Sequence, residues 1–138
     1  MKGLEGVYIV NMTDTKLLFS YDLISTESQQ WNLSMFSPFL SAFQSFASEL
    51  NQKEVRKITI GDVSIYSKIS DEYNLIFVLR CVKSMKEQKA LELLEKTTKA
   101  CISNLKFNGI SVNDINTVPP SAYEKEIFPI LKEKSRLF

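Results

Sequence analysis

The run LIFVLRCV at residues 75–82 limits the possible folds of this chain more than any other segment. It is apolar at both odd and even positions until Arg80 interrupts it. A strand with one side in water alternates apolar and polar residues, whereas a strand covered on both faces does not. We therefore expect residues 75–82 to form a central strand of a sheet that has helices on both faces.

Length and composition predict one soluble globular domain over residues 1–138. The chain is 44% hydrophobic and 24% charged, and 17 basic residues against 16 acidic ones give a net charge of +1. A nucleic-acid-binding protein concentrates Lys and Arg on one face, and the sequence has no such run. Nucleic acid is therefore not an expected partner.

The two cysteines and the first residues indicate the compartment. Cys81 and Cys101 have no metal-type spacing around them, which predicts buried free thiols in a reducing cytosol, with a disulfide bridge as the alternative. The first apolar stretch, VYIV, is too short for a signal peptide or a membrane span. The expected location is cytoplasmic, with no transmembrane segment.

Four further strands are predicted from β-branched and aromatic runs. Residues 7–12 and 17–23 form a hairpin around TDTK, and residues 24–36 follow as a long polar connection that contains Trp31. Two more strands flank Gly61-Asp62, with apolar residues at every second position. A turn at 71–74 leads into the central strand.

Three helices are predicted from their boundary signals. Ser37 and Pro38 begin a helix over 38–50, whose phenylalanines form one stripe. A capping box, Ser84-x-x-Glu87, begins the second helix, which ends at Asn108-Gly109 and carries one apolar stripe: Ala90, Leu94, Thr97, Cys101 and Leu105. A last helix begins near residue 122, and Pro129 is expected to kink it or to end it early.

The residues that carry most enzyme chemistry are missing from the sequence. There is no histidine, and the four glycines match neither a phosphate loop nor a dinucleotide fingerprint. Asp71 and Glu72 are the closest acidic pair, but a turn exposed to water would keep both ionised. We therefore expect a protein that is not an enzyme and that has no catalytic residues, metal or cofactor.

The outward face of helix 38–50 is a candidate partner-binding surface, which we call the serine-rich face. Compared with the second helix, whose outer face is densely charged, this face is small and almost neutral, and depletion of charge is typical of the centre of an interface. An ordinary exposed helix is the alternative. The residues proposed to bind a partner are Ser41, Ala42, Gln44, Ser45 and Ser48.

The order of strand, strand, helix, three strands and helix, with segments such as VYIVNMTDTKLLFSYDL and KITIGDVSIYSKIS, resembles the longin-domain family, and more closely the small longin and roadblock-like proteins of archaea. Roadblock proteins have a helix before the first strand, and here only six residues precede VYIVNM, which favours longin. The resemblance implies an α+β fold of the longin/profilin-like type: a three-layer sandwich with a five-stranded antiparallel sheet in the order 2-1-5-4-3, one helix on one face and two on the other.

The resemblance also implies an interaction module. Proteins of this family serve in vesicle-trafficking adaptors and in complexes that regulate Ras-like small GTPases. In the implied strand order, strand 17–23 lies at a sheet edge, where Lys16, Leu18, Ser20 and Asp22 are candidate partner-binding residues.

Two functions are therefore kept open. The favoured one is a self-associating scaffold or regulatory subunit that binds a small Ras-like GTPase or another longin or roadblock subunit as a homodimer or heterodimer, and that reaches a membrane only through a partner. The alternative is a profilin-like or PAS-like sensor that holds a small molecule between sheet and helix.

Overall fold

A computed structural model of the chain describes residues 3–22 and 56–136. Within these ranges the protein has an α+β fold built on a five-stranded antiparallel sheet in the order β2-β1-β5-β4-β3. The strands are β1 (Leu4–Asn11), β2 (Leu17–Asp22), β3 (Arg56–Ile60), β4 (Val63–Ser70) and β5 (Leu75–Val82). Helix α1 (Glu87–Phe107), a 3-10 helix (Val112–Thr117) and helix α2 (Pro120–Arg136) follow. The predicted connection 24–36, with Trp31, and the predicted helix 38–50 lie outside the described residues.

Strand β5 is the centre of the sheet, as its sequence predicted. It pairs with β1 on one side and β4 on the other. Its residues 75–81 are each no more than 1% exposed. The lack of alternating polar residues in the sequence of β5 therefore correctly indicated a strand that is buried on both faces.

The predicted hairpins are also confirmed. Strands β1 and β2 flank the predicted turn, although β1 begins at Leu4, three residues earlier than expected. Strands β3 and β4 are joined by the two residues Gly61 and Asp62. Gly61 has a φ of 58°, which glycine adopts without the steric cost that a side chain would add.

Both α-helices pack on one face of the sheet, which we call the helix face. The predicted stripe of α1 is buried as expected. Helix α2 covers the β2 side, where the ring centroids of Tyr21 and Phe128 lie 4.9 Å apart and those of Phe19 and Tyr123 lie 6.3 Å apart. The two later helices thus share a face, as the implied fold requires.

The opposite face of the sheet holds a second apolar cluster. Its central members are between 0% and 3% exposed, and they all come from strands: Tyr8, Val10, Ile65, Ile76 and Val78. The helix predicted for this face, 38–50, falls outside the described residues. The sheet therefore has buried side chains on both of its faces.

The predicted capping box at the start of α1 is wrong. The helix begins at Glu87 after Lys86, and no side chain caps its first turn. The reason is a turn that follows β5, in which the N–H of Met85 donates to the carbonyl of Val82 at 3.0 Å. Ser84 is held in that turn, two residues too early to cap the helix.

Helix α2 continues through Pro129 to Arg136, so the predicted early end at this proline is wrong, whereas the alternative, a kink, stays a prediction. Proline removes one N–H and frees the carbonyl four residues earlier, at Lys125. Both residues are exposed, so water can hydrate that carbonyl at little cost. The preceding linker contains an unpredicted 3-10 helix, in which the Ser111 hydroxyl donates to Asp114 at 2.9 Å.

Candidate interaction surface

Strand β2 is an edge of the sheet, and we call this strand together with the preceding Lys16 the β2 edge. In the described part of the chain it pairs only with β1. An edge strand presents backbone N–H and C=O groups that can pair with another chain. The predicted location of this strand is therefore confirmed.

The hydrogen-bonding register shows which residues point their backbone outward. On β1, the N–H of Asn11 donates toward β2 at Lys16, and the N–H of Met12 donates toward the β5 side at Asn74. Because bonding residues alternate along an antiparallel pair, Ile9 and Val7 also bond toward β2. Ser20 lies opposite Tyr8, between the bonded positions, so its N–H and C=O point away from β1.

The side chains of the β2 edge divide between surface and core. Lys16 and Ser20 are exposed, as a partner-binding role requires. Leu18 is only 5% exposed and belongs to the core of the helix face. Of these three residues, Leu18 can meet a partner only through its backbone.

A bulge interrupts the β2 edge near Leu18. Val10 lies opposite Leu17 and Ile9 lies opposite Phe19, so Leu18 is an extra residue on β2. Bulges at an edge disturb the regular ladder that another strand would need. The regular part of the edge is therefore its second half, from Phe19 to Asp22.

Asp22 is held by a group of polar side chains that we call the Arg80 cluster: Glu5, Tyr8, Asp22 and Arg80. The Tyr8 hydroxyl donates to Oδ1 of Asp22. Nη2 of Arg80 lies 3.5 Å from the same oxygen and 3.4 Å from the backbone carbonyl of Glu5. Since Arg80 is on β5 and Asp22 on β2, the cluster connects the edge strand to the central strand across β1.

The electrostatics of the Arg80 cluster fit a structural role. Arg80 is 1% exposed, and its Nε lies 3.8 Å from the carboxylate of Glu5. Its guanidinium carbon lies 5.8 Å from the centre of the Tyr8 ring. Burial raises the pKa of Tyr8, and its hydrogen bond to Asp22 raises that pKa further. The hydroxyl therefore stays protonated and keeps its bond to Asp22.

Gly6 provides the space for this arrangement. A Cβ atom at Gly6 would lie 2.3 Å from the Tyr8 hydroxyl oxygen, closer than real Cβ contacts allow. The Tyr8 side chain thus reaches Asp22 over a position that has no side chain of its own. Sequence reasoning missed this cluster, although an arginine inside an apolar strand is a signal that carboxylates lie nearby.

The turn before β2 is attached to the 3-10 helix through Asn116. Asn11 donates to the side-chain oxygen of Asn116 at 2.9 Å, and Asn116 donates to Asp14 at 2.6 Å. The backbone N–H of Lys16 donates to Asp14, and this bond, followed by that from Asn116, lowers the pKa of Asp14. Both ends of the β2 edge are thereby fixed to the body of the protein.

The other predicted site residues and the free thiols complete the description. The serine-rich face, from Ser41 to Ser48, lies outside the described residues. Cys81 and Cys101 are buried and free, as predicted, and burial raises the pKa of each thiol to about 12. The described residues hold no group of three or more potential metal ligands.

None of the helices described in the structure is long and apolar enough to cross a membrane. A comparison of the sequence with protein-family models and with curated proteins finds no match.

Proposed function

We propose that this protein is a non-catalytic interaction module of the longin type, a scaffold or regulatory subunit that binds a small Ras-like GTPase or a related subunit. The observation that carries the proposal is the β2 edge, which in the described part of the chain pairs only with β1 and is fixed in place at both ends. The strand order β2-β1-β5-β4-β3 supports it, because that order is the one expected of a longin domain.

A fixed edge is suited to recognition by strand addition. A partner strand gains main-chain hydrogen bonds without first ordering the strand that receives it, which lowers the entropic cost of association. The Arg80 cluster orders one end of β2 and Asn116 orders the other. The site therefore offers a rigid template rather than a flexible segment.

Binding to a GTPase is tested by light scattering during size-exclusion chromatography. The purified chain is examined alone and with Ras-like GTPases of the same organism, each loaded with GDP or with a non-hydrolysable GTP analogue. We expect a complex that forms with one nucleotide state. The absence of a complex with every GTPase in both states would refute the GTPase partner.

Two proline substitutions test the edge itself. Ser20→Pro removes an outward N–H from β2 and no bond to β1, so the fold is retained while strand addition is blocked. Thr59→Pro is the matched control on β3: Ile60 and Val63 flank the two-residue turn as a bonded pair, so the N–H of Thr59 also points outward.

We expect Ser20→Pro to abolish the complex and Thr59→Pro to retain it. If the Ser20→Pro variant still forms the complex and the Thr59→Pro variant does not, the interface belongs to β3 and the assignment to β2 is overturned. Circular dichroism of both variants shows whether each keeps the native fold.

A further inference from the structure

An open cleft of about 550 Å³ lies between the end of β4, the turn after it and the C-terminal half of α1. The helix passes over this part of the sheet, and the side chains between the two do not fill the space. Small-molecule sites commonly have volumes of about 300–1,000 Å³. The described residues with polar side chains that line it are Lys68, Ser70, Asp71, Glu72, Thr98, Lys99, Ser103 and Lys106.

Lys68 is the unusual residue of this cleft. Side chains alternate along β4, and Tyr66, two residues earlier on the same face, is 1% exposed in the core under the helices. Lys68 therefore points to the helix face and is half-buried there. A lysine at a position next to the core is costly to desolvate unless a negative group lies close to its ammonium group.

The acidic residues that line the cleft do not supply that negative group. Glu72 forms an ion pair with Lys106 on the opposite wall. Asp71 is exposed at the turn. Among the described residues, none forms an ion pair with Lys68.

Other groups around Lys68 favour an anion. Ser70 and Ser103 place hydroxyl groups on the two walls, and Lys99 adds a second ammonium group on α1. Lys99 also lies 3.3 Å from Glu95, but both side chains are more than half exposed, so that pair is weak. The charged residues that line the cleft are three lysines, Lys68, Lys99 and Lys106, against Asp71 and Glu72, so the lining carries a net positive charge.

We propose that this cleft binds a small anionic molecule, whose phosphate or carboxylate group pairs with Lys68 and accepts hydrogen bonds from Ser70 and Ser103. Ile102 lines the same cleft and gives the ligand's carbon atoms an apolar contact. The site lies between sheet and helix, where a sensor of the alternative kind would hold its ligand. The inference does not depend on the β2 edge, because β1 and β5 separate β2 from β4 in the sheet.

The test is an NMR titration of the isotopically labelled full chain with inorganic pyrophosphate and, separately, with citrate, at constant ionic strength. We expect saturable shifts of the amide signals of residues 68–72 and 98–106. A stronger response to pyrophosphate identifies a phosphate ligand, and a stronger response to citrate identifies a carboxylate ligand. Binding is expected to be weak, because neither probe carries the apolar part of the natural ligand.

Two lysine substitutions, one in the cleft and one outside it, show whether binding occurs at this site. Lys68→Gln should weaken binding about tenfold or more, because it removes a charge-assisted hydrogen bond. Lys96→Gln is the matched control, since Lys96 is exposed on α1 but does not line the cleft. It removes the same charge and should leave the affinity within about twofold.

Equal losses in the two variants would show a general electrostatic attraction and overturn the site. Shifts that do not saturate at millimolar concentrations of either anion would also overturn it. Complex formation with a GTPase is measured independently, so failure of this proposal and failure of the proposed function can be told apart.

Discussion

Replacement of Gly6 by alanine tests how the Arg80 cluster is packed. The added Cβ would lie 2.3, 2.7 and 2.9 Å from Oη, Cζ and Cε2 of Tyr8. Three contacts below 3.0 Å cannot be relieved by a hydroxyl rotation, because two of them involve ring carbons. Tyr8 is 3% exposed, so its ring has little room to move away.

The expected cost of Gly6→Ala is about 2 kcal/mol of unfolding free energy, the middle of the range for overpacking in a core. Movement of Tyr8 would also weaken its bond to Asp22 and thereby loosen the end of the β2 edge. The free energy of unfolding is measured by urea denaturation followed by circular dichroism.

A double-mutant cycle identifies the cause of that cost. In a Tyr8→Leu background the three close contacts no longer exist, and Gly6→Ala should then be neutral or stabilising by about 0.5 kcal/mol, since alanine reduces the entropy of the unfolded chain. Tyr8→Phe removes only the oxygen and should relieve only part of the cost. An equal cost of Gly6→Ala in all three backgrounds would refute the packing argument.

Three further perturbations follow from the described contacts. The pKa of the Cys81 and Cys101 thiols is raised from 9.0 to about 12. Because the unfolded chain loses these protons at a lower pH than the folded protein, the free energy of unfolding should fall as pH rises from about 9 toward 12. The expected slope is about 1.4 kcal/mol per thiol per pH unit. Urea denaturation at several alkaline pH values checks this, and a variant with both cysteines changed to alanine should show a shallower decline. Arg80→Gln removes the buried cation from Glu5 and Asp22, whose side chains are partly exposed, and should cost about 1.5–3 kcal/mol, the range for hydrogen bonds to charged groups. A loss below about 1 kcal/mol in urea denaturation would show that Arg80 acts no more strongly than a surface ion pair. Asn116→Ala should cost about 1 kcal/mol and raise the pKa of Asp14 toward its ordinary value, measured by an NMR pH titration; an unchanged pKa would show that Asn116 does not act on that carboxylate.

The strand plan of this protein could be predicted from its sequence because burial leaves a direct mark on composition. The run of β5 that is apolar at successive positions up to Arg80 identified the centre of the sheet. Period-two alternation with Gly61 at a turn identified the hairpin of β3 and β4. These are local patterns, and each determines one element. The order of the strands came from the family resemblance and not from any local pattern.

The polar sites escaped prediction because they join residues that are distant in sequence. Asn11 and Asn116 are separated by 105 positions along the chain, and Asp22 and Arg80 by 58. No spacing rule connects such residues before the strands are paired. Lys68 was missed for a related reason, since a charged residue in an alternating strand is normally exposed, and only the position of α1 shows that it is half-buried.

The capping box failed for a different physical reason. Ser84 and Glu87 have the correct spacing, but the turn after β5 uses Ser84 first. A capping motif competes with every other use of the same backbone. Here the turn by which the chain leaves β5 determined where the helix begins, and the local capping preference of Ser84 did not.

The pairing of β1 with β5 has a consequence for how the chain reaches its fold. Paired residues at the centre of the sheet, such as Tyr8 and Val78, are farther apart in sequence than the paired residues of the other described strand pairs. During synthesis, the hairpin of β1 and β2 emerges before β5, and the edge of β1 that pairs with β5 stays open until β5 leaves the ribosome. Closing so long a loop makes folding slow compared with a helical protein of this size. Assembly of the sheet centre is therefore a late event, and the early hairpin is the part of the nascent chain that most needs protection from premature pairing.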